Sequence, residues 1–261
     1  MNRLAINTVG DDLEAAAEFC KNNDLGLELS AFASPDNLDN NLGPLINWHS
    51  KAVEGISPVL SHGPFHDLAA TSLDSAIVSV AKKRHETALT AAAHLGVCLY
   101  VAHTNYNPMI SGPSYRTHWK KRMLEFWLPL ADQAGEHDIV ICLENMWETT
   151  PEIQGDLISA GRHPYLRASF DNGHALVSSR ISAPQWVAAF KEGLAHCHLH
   201  DNSGECDEHR PVGDGKEQWA ALLSALTRHS PQAILVAESD RLEKNRVSIE
   251  RLKDAASRTR P

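Results

Sequence analysis

Short apolar runs alternate along this chain with longer stretches of helical period. LAINT (4–8) precedes DDLEAAAEFCKNN (11–23), whose acidic start suits a helix N-terminus. GLELSAF (26–32) reads as a second strand and PLINWHSKAVEG (44–55) as a short helix. PVLSHGPF (58–65), VCLYVAHT (97–104) and IVICLENM (139–146) read as strands three to five. The helical stretches 72–95, 115–135 and 150–160 follow them in turn. LRASFDNGHA (166–175), LAHCHLHDN (194–202) and AILVAES (233–239) complete the strands, with helices at 182–192, 216–228 and 241–256.

Eight strand-then-helix units predict a parallel sheet covered by helices. Units of about 33 residues favour a closed (β/α)8 TIM barrel over an open doubly wound sheet. The strands are nearly continuous in apolar residues, as burial of both faces demands. No linker or low-complexity run interrupts the pattern, so residues 1–261 read as a single α/β domain. The longest irregular stretches, 33–43 and 202–215, fall on the barrel's C-terminal face.

Catalytic groups in such barrels project from strand C-termini. Strand three ends with His62 and, in the loop, His66; strand four with His103; strand five with Glu144. Strand six ends with Asp171 and His174, and strand seven with His198 and His200, followed by Asp207 and His209 in its loop. Strand eight ends at Glu238. One such residue means little, whereas six successive strands ending in ligand-type side chains define a pocket. Buried carboxylates without a positive partner would be driven to protonate. A divalent ion resolves this, and mixed imidazole and carboxylate donors suit Zn2+, Mn2+ or Co2+ better than Ca2+. Alternation turns His198 and His200 the same way, so position alone does not separate them.

Composition narrows the partners. Lys plus Arg is 24 against 33 Asp plus Glu, a net charge of −9 with His neutral. That balance opposes non-specific binding to nucleic acid or anionic membrane. The basic cluster Arg116, Lys120, Lys121 and Arg122 reads as a solvated helix start or an oligomer surface, and a homo-oligomer is one expectation. The five cysteines include no CxxC, and Cys98, Cys142 and Cys197 sit in strand-like runs, which fits buried thiols in a reducing cytoplasm. No apolar window reaches 18 residues and no secretory leader is evident, so no membrane span is expected.

The segments SHGPFHDL, VAHTN, LEN, SFDNGH, HLHDN, DEHRPVGDG and VAES together resemble the xylose isomerase-like TIM-barrel superfamily over about residues 4–240. That superfamily includes sugar phosphate isomerases and epimerases, inosose dehydratases, and the AP endonuclease family 2 (endonuclease IV) branch. The epimerase pattern implies one divalent ion held by Glu144, Asp171, His198 and Glu238, with Glu144 and Glu238 as acid and base and His174 on the substrate. The endonuclease IV pattern implies up to three ions, adding His62, His103, His174, Asp207 and His209. All nine residue types are present.

The leading expectation is therefore a metal-dependent sugar or polyol isomerase or epimerase working through a metal-stabilised enediolate. The alternatives are a multi-zinc phosphoester hydrolase and a dehydratase or lyase on the same chemistry. Asn145, Trp147 and His200 are candidate substrate contacts, with capping, packing and orientation of His198 as their other readings. Asn202 reads as a hydroxyl ligand or a loop cap. Glu28 reads as a substrate contact or as a group orienting His62, and Asp201 as a partner orienting His198. GDGKEQW (213–219) lacks the phosphate-loop spacing and reads as a turn into a helix. No GxSxG elbow is present, which removes a serine hydrolase.

Overall fold

The structure, a computed structural model, describes residues 2–8 and 12–258, for 256–258 the backbone alone. The predicted helix start at Asp11 lies outside the described residues, as do the extreme ends of the expected 1–261 domain. Eight parallel strands pair in chain order: β1 (Leu4–Asn7), β2 (Gly26–Leu29), β3 (Val59–His62), β4 (Leu99–His103), β5 (Val140–Glu144), β6 (Leu166–Asp171), β7 (Leu194–Leu199) and β8 (Ile234–Ala237). β8 returns to β1, pairing Leu235 with Leu4 and Ala237 with Ile6, and closes the barrel. The helices are α1 (Leu13–Asn23), α2 (Pro35–Asn40), α3 (Leu42–Val53), α4 (Ser75–His94), α5 (Tyr115–Gly135), α6 (Pro151–Gly161), α7 (Asn172–Ser178), α8 (Ala183–Phe190), α9 (Trp219–His229) and α10 (Leu242–Arg258). The expected TIM barrel is what the chain forms.

Two apolar layers hold it together. Between sheet and helices lie the large buried rings of Phe32, Trp119, Trp127, Phe170 and Trp186. Inside the barrel a smaller cluster of Ala5, Leu60, Leu99, Cys142 and Val236 plugs the lumen. Side chains two residues apart share a strand face. One step toward the C-terminal end, the faces of Leu60, Cys142 and Val236 therefore present His62, Glu144 and Glu238. The apolar plug is the floor and the polar groups stand on it.

The β1–β8 seam is stitched by buried amides. Asn2 Nδ2 donates to the Ser230 carbonyl at 2.8 Å and the Ala233 carbonyl at 2.9 Å. Asn7 exchanges two bonds with the Ser239 backbone at 3.1 and 3.2 Å, and Asn245 Nδ2 donates to Asn7 Oδ1 at 2.7 Å. Local signals set the helix ends. Asp74 caps α4 by accepting from the Ala76 amide at 2.8 Å, and Ser182 with Gln185 forms a capping box on α8.

Some expected boundaries move. The sixth strand stops at Asp171, four residues early, because the Asp171 carboxylate accepts from the His174 amide at 2.7 Å and caps α7. The stretch 33–43 holds α2 and the start of α3, whereas 202–215 is irregular, pinned by the Asp201–Arg210 bridge. The C-terminal helix does not simply face water, since α10 buries Leu242, Asn245, Ile249 and Leu252. At the basic cluster, Arg116 pairs with Asp156 at 2.6 Å and Lys121 with Glu125 at 3.7 Å, so two of its four basic residues are engaged in ion pairs. All five cysteines are free; Cys20, Cys142 and Cys197 are buried, and burial pushes the Cys20 thiol up to about 12. No helix among the described residues is long and apolar enough to cross a membrane.

Candidate metal centre and active site

The barrel mouth collects the strand-end groups. His198 Nδ1 stands 3.3 Å from Glu144 Oε1, 3.4 Å from Glu238 Oε2 and 3.8 Å from Asp171 Oδ2. These separations exceed the 2.7–3.2 Å of a good hydrogen bond. They match donors sharing an ion: tetrahedral ligands about 2.1 Å from a metal stand about 3.4 Å apart. Glu144 Oε2 is buried with no hydrogen-bond partner, and faces His62 Nε2 at 3.5 Å and His103 Nε2 at 3.7 Å. Beside these, His174 Nε2 lies 3.3 Å and His209 Nε2 2.9 Å from Asp207 Oδ2. Among the described residues, the nine singled out in the sequence fall in four overlapping groups: His62, His103 and Glu144; Glu144, Asp171 and His198; His174, Asp207 and His209; and His200, His209 and Glu238. The donor set fits a borderline divalent ion, and the unpartnered Glu144 Oε2 is a spare donor beside His62 and His103.

Opposite charges decide ionisation here. Burial raises the Glu144 carboxyl, but His198, His62 and His103 hold it well below its ordinary range. Burial lowers His198, yet Glu238, Glu28 and Glu144 push it well above its usual value. Asp207 raises His209 to about 9 against the effect of burial. His103 is the exception, since burial brings it down to about 3 and leaves a neutral imidazole, the form that ligates.

Beneath this layer sits a partner set that the sequence reading assigned differently. Glu28 was expected to contact substrate or orient His62. Instead Glu28 Oε1 lies 2.9 Å from His198 Nε2, and Oε2 lies 2.9 Å from His196 Nε2. His196 Nδ1 in turn meets Ser169 Oγ at 2.7 Å. His196 went unremarked, although the HCHLH alternation places it on the same face as His198 and His200. Asp201 does not orient His198. Its carboxylate faces outward, accepting from the Gly213 and Glu217 amides at 3.1 Å and from Trp219 Nε1 at 2.7 Å.

Three expected substrate contacts have other placements. Asn145 is buried and its amide is committed to the Asp171 backbone, donating at 3.0 Å and accepting at 2.9 Å, so it braces β5 against β6. His200 is fully buried, with Nε2 3.1 Å from Asp171 Oδ2, and acts as a support for that carboxylate. Trp147 is 52% exposed beyond the mouth and does not line the cavity. Asn202 is a loop brace, donating to the Gly173 carbonyl at 2.9 Å. His66 is exposed. Glu148, unmentioned in the sequence reading, is buried behind the site, bonded to Thr104 Oγ1 and accepting from the Met146 amide at 2.7 Å. Burial raises its carboxyl to about 7. Nothing local in the sequence distinguishes it from an exposed loop glutamate.

His62, His103, Glu144, His174, Asp207, His209 and Glu238 line a cavity of about 420 Å³, with Phe65 and Met146 among its other walls and the fully buried Asp171 and His198 outside its lining. Among the described residues, no Lys or Arg lines it. Fold and site together define an eightfold α/β barrel whose C-terminal mouth gathers candidate metal ligands above an apolar floor.

The chain belongs to the xylose isomerase-like TIM barrel family, whose model matches residues 7–255. A solved D-tagatose 3-epimerase-like protein superposes with a TM-score of 0.80 at 21% identity, covering 98% of this chain and 97% of that one. A Thermus thermophilus protein soaked with ZnCl2 gives 0.82 at 23% identity, covering 99% of both. In sequence, an uncharacterised Methanocaldococcus jannaschii protein is 24% identical over 205 residues, 75% of this chain and 69% of its own length. At these identities the structural likenesses establish the fold.

Proposed function

We propose that this protein is a divalent-metal-dependent isomerase or epimerase of a small sugar or polyol. The observation that carries the reading is the convergence of Glu144, Asp171 and Glu238 on His198 Nδ1 at 3.3–3.8 Å, at the edge of a cavity sized for one sugar ring. A bound Zn2+, Mn2+ or Co2+ would be held by these four residues and would supply Lewis acidity to a carbonyl and its neighbouring hydroxyl. Glu144 and Glu238, on β5 and after β8, are placed to remove a proton from the carbon beside that carbonyl and to return one. Charges around Glu144 keep it ionised, as a base requires. His174, 3.4 Å from Glu144 and 3.3 Å from Asp207, is placed to hold a substrate hydroxyl. The resemblance of the fold to a D-tagatose 3-epimerase-like protein supports a ketose-type substrate. The absence of Lys and Arg from the lining favours an unphosphorylated one. The free thiols support a cytoplasmic setting.

A second reading, multi-zinc phosphoester hydrolysis, is favoured by one observation: the nine ligand-type residues fall in four overlapping groups, enough for more than one ion. Two measurements separate the readings. Incubation of the metal-loaded protein with ketoses in D2O should place deuterium on a sugar carbon, and plasma mass spectrometry should find one ion per chain. Absence of exchange with every ketose, together with two or three ions and cleavage of an abasic-site duplex, would install the hydrolase in its place.

A further inference from the structure

The catalytic cavity does not end at the metal cluster. Its wall at Thr8 and Ser30 is shared with a second cavity of about 360 Å³, reaching over α1 and α3 to Trp48. The two chambers differ in chemistry. The first is crowded with ionisable groups. Among the described residues, the second is lined by no Asp, Glu, Lys or Arg. The titratable group among its described lining residues, His49, is buried with Nδ1 2.8 Å from the Leu45 carbonyl, and burial lowers its pKa, so it stays neutral.

What the second chamber offers is hydroxyls, an amide and an indole. Thr8 Oγ1 accepts from the Ser30 amide at 3.0 Å, leaving its own hydrogen to donate. The Ser30 and Ser34 hydroxyls make no cap bond to their helical turns. Asn37 spends one amide hydrogen on the Ala31 carbonyl at 2.8 Å and keeps its oxygen. The Trp48 indole is 36% exposed and tethered at its edge by Nε1 donating to Glu14 Oε1 at 3.2 Å, which leaves the ring as a wall. Neutral donors and acceptors around an aromatic plate are what a pyranose needs: its hydroxyls take the hydrogen bonds and its axial C–H face packs on the ring. A phosphate or carboxylate would find no cation there, and a purely apolar tail would strand the hydroxyls.

We propose that this chamber is a second sugar subsite, so that the preferred substrate is a neutral disaccharide or glycoside with its reacting ring at the metal cluster and its partner ring against Trp48. The proposal rests on the sugar reading for the identity of the reacting ring, but the chamber itself is tested by binding alone. Isothermal titration calorimetry of the zinc-loaded protein would compare D-fructose with the five glucosyl-fructose isomers linked at fructose positions 1, 3, 4, 5 and 6. At least one disaccharide should bind tenfold or more tightly than fructose. Trp48→Ala should erase that advantage while leaving fructose affinity unchanged, and Trp48→Phe should restore most of it. Equal affinity for fructose and all five disaccharides, or an advantage that survives Trp48→Ala, overturns the proposal. A Trp48-dependent advantage without proton exchange in D2O would uphold the chamber and overturn the isomerase reading.

Discussion

Glu28 reaches His198 from below: its Oε1 lies 2.9 Å from His198 Nε2, while His198 Nδ1 looks up at three carboxylates. When an ion takes the place of the Nδ1 proton, the Glu28 carboxylate keeps the remaining proton on Nε2 and so fixes one tautomer of the ligating ring. Glu28 is a positioning residue for that imidazole. Glu28→Gln should weaken Zn2+ affinity by about 10- to 100-fold in competition with a fluorescent chelator. Nitrogen-15 shifts should show His198 losing its single tautomer. Unchanged affinity and an unchanged tautomer would remove Glu28 from this role.

Glu144→Gln and Glu238→Gln should each lower turnover by about 10³-fold or more if the two carboxylates move the proton. Their circular dichroism and thermal midpoints should stay near those of the parent chain, because each amide is isosteric with the acid it replaces. Full activity in either variant counts against the assigned pair.

Gly173 lies in α7 where a Cβ would overlap the His200 ring. Gly173→Ala must therefore push His200 away from Asp171, whose Oδ2 it meets at 3.1 Å. Loss of metal affinity is expected along with a stability cost of about 1–3 kcal/mol, of the kind overpacking brings. Denaturant midpoints and chelator competition measure the two effects separately.

Glu148 gives a pH test. Its folded pKa, about 7, lies above the ordinary 4.5, so the folded chain holds this proton more tightly than the unfolded one. The sign follows: stability from the protonated form is full below about 4.5 and is lost as pH rises to about 7. Glu148→Gln keeps the neutral shape at every pH. Its thermal midpoint should be close to the parent's at pH 5 and exceed it at pH 8, by a gap corresponding to about 3 kcal/mol at most. A gap that does not change with pH would exclude this proton from the stability balance.

The barrel and the candidate ligand positions at its mouth were legible because strand succession and side-chain alternation are local properties. LEN, SFD, HLH and AES each mark a strand end without reference to anything distant. The assignment of Glu28 failed for the opposite reason. It meets His196 and His198 across 168 and 170 residues of chain, and only closure of the barrel decides which histidine faces it. Asn145 shows the same limit: an amide after a strand can reach a ligand or a neighbouring backbone, and the β5–β6 register selects the backbone. The end of β6 was misplaced because NGHA continues the polar-apolar alternation, while the Asp171 cap turns it into helix.

The amide stitching at the β1–β8 seam has a consequence for synthesis. Asn2 and Asn7, once made, wait for hydrogen-bond partners at residues 230–245. Until that last stretch leaves the ribosome, the nascent sheet carries two bare edges, β1 and β7, which are templates for intermolecular pairing. A chain interrupted before β8 would therefore be a sticky open sheet without Glu238, so the edge hazard lasts until β8 is made.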